Sequence, residues 1–235
     1  MRVLRVLPLI GFFLLPASMI AQQAVTPATH DPQATAVLDA AIAALGGATA
    51  ISQSQSWAFQ AQLDGLEKGS RSDTIGLNVG PGTPVAMPNG TTITKPPAAF
   101  PSPILPTLVA ALLLKQSKDP NYVVRHVART TLGSQTVTVV SFWLARSVFG
   151  PAQNWYFDNA TGLPIQIEFR LPAQIGHIKS LRGVSVLSDY RSVSGVLYPF
   201  HIVTATPGQP SPETITLQSL SPSSSTASTA AGGVQ

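Results

Sequence analysis

The sequence predicts an α+β domain: one strongly curved antiparallel sheet of about nine strands, a half-barrel, with two main helices covering its concave face. Three observations carry that prediction. From Trp57 onward, short segments alternate apolar and polar residues with period two, the pattern of strands with one buried face. Several of these segments are joined by short Gly-, Asn- or Ser-containing turns, which require antiparallel neighbours. Two stretches of helical periodicity are apolar enough to cover the buried face, and a sheet this wide curls as it twists.

The chain opens with Arg2 and Arg5, an apolar run over residues 6–15, and Pro16-Ala17-Ser18-Met19-Ile20-Ala21. These are the three parts of a secretory signal, so residues 1–21 are expected to be a leader cleaved near Ala21, delivering the chain to the periplasm or the exterior. An uncleaved membrane anchor is the alternative reading. The apolar stretch, about 15 residues broken by Pro8, Gly11 and Pro16, is short of the ~20 that a span requires. No later stretch is long enough to cross a bilayer. Residues 22–33 read as a polar linker ending in Asp31-Pro32, an N-cap followed by proline at the first helical position. Leu38, Ile42 and Leu45 then recur at helical spacing until Gly46-Gly47 stops the helix.

Trp57, Phe59, Ala61 and Leu63 alternate with Ala58, Gln60 and Gln62, and Ile75, Leu77 and Val79 repeat the pattern. Pro88-Asn89-Gly90 is a turn between two short strands. After prolines 96, 97, 101 and 103, a second helix carries two adjacent i, i+4 rows: Ile104, Leu108, Leu112 and Leu105, Val109, Leu113. Lys115 and Lys118 suit its C-terminal end, and Asp119-Pro120 closes it. Strands follow at 122–129, 136–144, 154–157, 163–171, 184–190, 196–204 and 214–220. The clearest is Ile165, Ile167, Phe169 and Leu171 alternating with Gln166, Glu168 and Arg170. The ordered domain is thus expected over residues 34–220, with 221–235 a Ser/Thr/Ala/Gly tail that cannot build a core.

Composition narrows function by exclusion. Charged residues are 10% of the chain, well below the roughly 25% usual for a soluble domain. The formal charge of +4 falls to +2 without the leader's arginines, and no basic stripe is interleaved with aromatics, so nucleic acid is not an expected partner. There is no cysteine, hence no disulfide, thiolate metal site, cysteine nucleophile or lipid-bearing cysteine. His30, His126, His177 and His201 lack metal-ligand spacing. No nucleophile elbow, phosphate loop, dinucleotide fingerprint or zinc-protease motif occurs. Asp158, Glu168 and Asp189 are the carboxylates in β segments: a turn cap, a polar-face residue and half of an ion pair with Arg191. No catalytic residue, metal or cofactor is therefore expected.

Two segments carry a resemblance. They are Asn154-Trp155-Tyr156-Phe157-Asp158-Asn159-Ala160-Thr161-Gly162-Leu163-Pro164 and Ser188-Asp189-Tyr190-Arg191-Ser192-Val193-Ser194-Gly195-Val196-Leu197-Tyr198-Pro199-Phe200. Together with the leader and Leu45-Gly46-Gly47, they resemble bacterial envelope proteins similar to the outer-membrane lipoprotein-sorting chaperone (LolA-like). The resemblance implies an unclosed curved sheet whose helices plug its concave side, around a space that holds acyl chains in the chaperone. None of the chaperone's lid-contacting residues is carried over onto a position here, and the proline-rich approach to the second helix departs from the pattern. The expected function is a binding or carrier protein for a lipid-like or lipoprotein acyl ligand. Trp57, Phe59, Ile75, Leu77, Leu108, Leu112, Ile165, Ile167 and Phe169 are its candidate lining. The alternative is a non-catalytic envelope module that binds another protein through a sheet edge or its polar face.

Overall fold

The computed structural model describes residues 30–54, 57–65, 73–79, 85–86, 92–93, 105–144, 152–171, 181–208 and 211–222. The leader, most of the linker, the Pro88-Asn89-Gly90 turn and the tail beyond Pro222 lie outside the described residues. Helix α1 spans Pro32–Ala44 and begins as its sequence asks: the Asp31 side chain accepts the Gln33 N–H at 2.8 Å, with proline in the first turn. That backbone N–H holds the Asp31 carboxyl below its ordinary pKa. Ala34, Leu38, Ala41 and Ile42 form the buried face of α1. Gly46 and Gly47 end it at φ 118° and 86°, a region glycine enters without steric cost. Here the chain departs from expectation. It bends by 64° into a second short helix, α2, Gly47–Gln53.

Strands β1 (Trp57–Asp64) and β2 (Asp73–Val79) follow, then the two-residue strands β3 (Val85–Ala86) and β4 (Thr92–Ile93), which pair only with each other. Helix α3 spans Leu105–Lys118. After it come β5 (Tyr122–Leu132), β6 (Gln135–Leu144), β7 (Ala152–Asp158), β8 (Pro164–Leu171), β9 (Leu181–Val193), β10 (Val196–Ala205) and β11 (Glu213–Pro222). Nine strands form one antiparallel sheet in the order β2-β1-β11-β10-β9-β8-β7-β6-β5. From β5 to β11 each strand pairs with its successor. Strand β1 pairs with the last strand, β11, from Trp57 opposite Pro222 to Asp64 opposite Thr214. The sheet is open, with β2 and β5 as its edges. This is the half-barrel of α+β class that the periodicity predicted.

Cross-strand partners share a face. Trp155, Ile167, Ser185 and Thr204 are successive partners across β7, β8, β9 and β10, and all four are buried. They lie on the face that holds the core with Trp57, Phe59, Leu63, Val140, Phe142 and Phe169. Asn154, Glu168, Val184 and Ala205 are partners on the opposite face. Helix α3 packs on β10 in mid-sheet, on the edge strand β5, and on α1 and α2. The 14-residue helix is roughly 21 Å long, so it spans the core-bearing face from centre to edge. Among the described residues, no single helix is long and apolar enough to cross a membrane.

Candidate functional site

Three motif fragments singled out in the sequence converge on one corner. The Asp158 carboxylate accepts Thr161 Oγ1 at 2.7 Å and the Thr161 and Ala160 N–H groups at 3.2 and 3.3 Å, closing the β7–β8 turn. Pro164, at the end of that turn, presents its carbonyl to the Tyr190 hydroxyl of β9 at 2.5 Å. Burial of Tyr190 pushes its pKa well above the ordinary phenol value. Leu197 N–H donates to the Leu45 carbonyl at 2.9 Å, tying the end of α1 to β10. A Cβ on Gly46 would lie 2.1 Å from the Gly195 carbonyl oxygen, so only glycine permits this approach. The motifs are joints that seat the α1–α2 corner on the sheet. None offers a reactive group.

The face beneath α3 is built differently. Phe142, Trp155 and Phe157 form an aromatic row, with ring centroids 5.8 Å apart between Phe142 and Trp155 and 6.4 Å between Trp155 and Phe157. Trp57 meets Tyr198 edge to face at 4.9 Å on the other side of the sheet's centre. Burial pushes the Tyr198 phenol up to about 12. Among these rings sits a buried polar knot: Gln153 Oε1 accepts the Trp155 indole N–H at 2.9 Å and Gln116 Nε2 of α3 at 3.3 Å. Gln116 is 3% exposed, and its Oε1 has no hydrogen-bond partner. Buried acceptors are ordinarily paired, so this oxygen is one that a ligand's donor or a water could satisfy.

The expected lining divides accordingly. Trp57, Phe59, Ile167 and Phe169 are buried on the covered face. Leu108 and Leu112 pack on the core only in part; the fully buried row of α3 is Val109, Ala110, Leu113 and Gln116, so the helix is turned toward its other apolar row. Ile165 is half-buried next to the bulge where β8 shifts register against β7, outside the core cluster. Ile75 and Leu77 stand opposite Ala61 and Phe59 in the ladder, with their side chains outside the described residues. Sequence reading missed Gln116, Gln153 and Trp155. The period-two set Gln153, Trp155, Phe157 was a signal for the last two.

Glu168 lies on the outer face, where Asn154 Nδ2 and Gln166 Nε2 each approach one of its oxygens at 3.5 Å. Tyr156 beside it is pushed up to about 12, first by burial and then by its contact with Glu168. Asp189 accepts Arg191 Nε at 3.0 Å, a hydrogen bond that lowers its pKa. Among the described residues, no group of three or more His, Cys, Asp or Glu is placed to hold a metal ion. A hollow of about 700 Å³ is on the outer face at the ends of β7–β10, against Glu168, Arg170, Arg182 and Val184.

The described residues thus form an open antiparallel half-barrel whose face is covered by helices, with motif residues serving as structural joints. Its fold is similar to that of solved structures from the group the sequence motifs resemble. The chain superposes on an outer membrane lipoprotein-sorting protein domain from Vibrio parahaemolyticus with TM-score 0.51 and 12% identity, over 82% of this chain and 93% of that one. A LolA superfamily protein from Nitrosomonas europaea matches with TM-score 0.51 and 11% identity, over 81% and 94%. A DUF1329 family protein from Desulfovibrio piger matches with TM-score 0.50 and 12% identity, over 82% and 94%. The likeness is one of fold. No protein-family model matches the chain, and no curated protein matches it by sequence.

Proposed function

We propose that this protein is an exported, non-catalytic binding or carrier protein that holds a lipid-like or lipoprotein acyl chain between α3 and the covered face of the sheet. The observation that carries the reading is the character of that face. Trp57, Phe59, Phe142, Trp155, Ile167 and Phe169 present an apolar wall under a helix that turns Val109, Ala110 and Leu113 inward beside the polar Thr107 and Gln116. Burying a 16-carbon chain there contributes about 10 kcal/mol before ordering costs. The unpaired Gln116 Oε1 offers an acceptor to an amide or hydroxyl donor near the head of such a chain. The fold supports this reading, since it is similar to that of a lipoprotein-sorting protein domain. The leader expected at residues 1–21 would deliver the protein to the compartment where such ligands pass between membranes.

The test is to purify the protein from its native envelope, extract it with organic solvent and read the extract by mass spectrometry. The expected result is a stoichiometric acyl-bearing species, and the mature N-terminus should begin next to Ala21. Ligand-free protein that also fails to take up a 16-carbon acyl probe would overturn the reading.

The second reading, a module that binds another protein, draws on one observation. Edge strand β5 is covered at its start, where Asp31 N–H donates to the Val124 carbonyl at 2.9 Å. Farther along, Val127 is 55% exposed, and the edge is open to strand addition. A proline at position 128 would block such a partner and leave acyl binding unchanged.

A further inference from the structure

The outer-face hollow of about 700 Å³ is within the size range of small-ligand sites. Register places its charged residues. Arg170 of β8 stands directly opposite Arg182 of β9, and Glu168 stands opposite Val184 two pairs further in, on the same face. Like charges directly across a ladder repel each other, so this pairing costs stability unless an anion lies between them. Among the described residues, no salt bridge engages either guanidinium; the ion pair present joins Arg191 to Asp189. Glu168 does not serve as the missing anion, because its two oxygens are turned to Asn154 and Gln166. Around the two cations the outer-face wall is carbon: Ala152, Val184, Ala205 and Pro207.

We propose that this groove is a binding site for a monomeric anionic amphiphile, with its carboxylate or phosphate head held between Arg170 and Arg182 and the start of its chain against Val184, Ala205 and Pro207. Two planar guanidinium forks suit a two- or three-oxygen anion, and the anion converts their repulsion into attraction. The apolar wall selects an anion that carries carbon over a bare one. This site is independent of acyl binding beneath α3, and each can fail without the other.

The experiment uses the full mature chain, ¹⁵N-labelled and titrated with decanoate below its micelle concentration. The expected result is saturable shifts at the Val184 and Ala205 amides, weakened by salt. Affinity should drop by about tenfold or more in R182Q and further in R170Q/R182Q, the loss expected for a charge-assisted contact. Both arginines are exposed, so the variants keep the fold, and A205W, which fills the groove, should block decanoate with the cations intact. Equal affinity in wild type and R170Q/R182Q overturns the proposal. So does inorganic phosphate binding as tightly as decanoate, or binding to phosphatidylglycerol vesicles without binding of the monomer. Shifts confined to the Trp57 and Trp155 indoles also overturn it, while leaving the covered-face reading in place.

Discussion

At the α1–α2 corner the parts touch through backbone, whereas beneath α3 they touch through side chains. The corner is fixed by Leu197 N–H to the Leu45 carbonyl at 2.9 Å and by a glycine contact that admits no Cβ. At its other end, α1 is tied down again by Asp31 N–H to the Val124 carbonyl at 2.9 Å. Helix α3 instead rests on the aliphatic Val109, Ala110 and Leu113 and the 3.3 Å side-chain bond from Gln116 to Gln153, with one buried acceptor unmet. Backbone joints of the first kind do not open without local unfolding, while side-chain packing of the second kind can be exchanged for a ligand. The difference teaches that sequence motifs can mark the fixed half of a binding fold, leaving the working half without a motif.

Substitutions test that contrast. The largest effect is expected at the corner. Gly46→Ala forces a Cβ to within 2.1 Å of the Gly195 oxygen at φ 118° and should destabilise by about 3 kcal/mol or more. Gly47→Ala, also at positive φ but with open space around it, should cost about 1–2 kcal/mol in the same denaturant titration. Equal losses would mean that the close approach contributes nothing. Next comes Gly183→Ala on the sheet. Its Cβ would sit 2.2 Å from the Phe169 ring, an overpacking cost of about 1–3 kcal/mol that Phe169→Leu in the same chain should largely recover.

Tyr190→Phe, which removes the hydroxyl that joins the two motifs through the Pro164 carbonyl, should cost about 1 kcal/mol. Beneath α3 the sign reverses. Gln116→Leu removes an unpaired buried acceptor, and Gln153 Oε1 keeps its Trp155 donor. Ligand-free protein should therefore gain up to about 1 kcal/mol while acyl binding weakens. A loss of stability would show that Gln116 Oε1 is satisfied in the free protein.

The smallest effect concerns Glu213, whose carboxyl pKa is raised by burial. A raised folded pKa makes this group's contribution most favourable in acid and removes it as pH climbs through that pKa. Glu213→Gln should accordingly stabilise by less than about 1 kcal/mol at pH 7 and by nothing at pH 3.

Local periodicity revealed most of the strands, because each buries a single face: Trp57, Phe59, Ala61 and Leu63 are all buried, as their alternation implied. The β1–β11 pairing was not legible. It joins Trp57 to Pro222, a long-range contact set by the strand order of the whole sheet and not by any turn. Helix α2 was hidden as well, since GATAISQ is one short apolar-small stretch with no periodic face. For α3 the sequence offered two equivalent apolar rows, and only packing against β10 and β5 decides in favour of Val109 and Leu113. The outer groove escaped because Arg170 and Arg182 belong to different strands and meet only through register.

The most direct test of the central claim is amide hydrogen exchange of residues 105–118 against residues 32–44, with and without hexadecanoate. The account predicts that α3 exchanges faster than α1 in free protein and slows on ligand addition, while α1 is unchanged. Equal protection of the two helices, unaltered by the ligand, would contradict it.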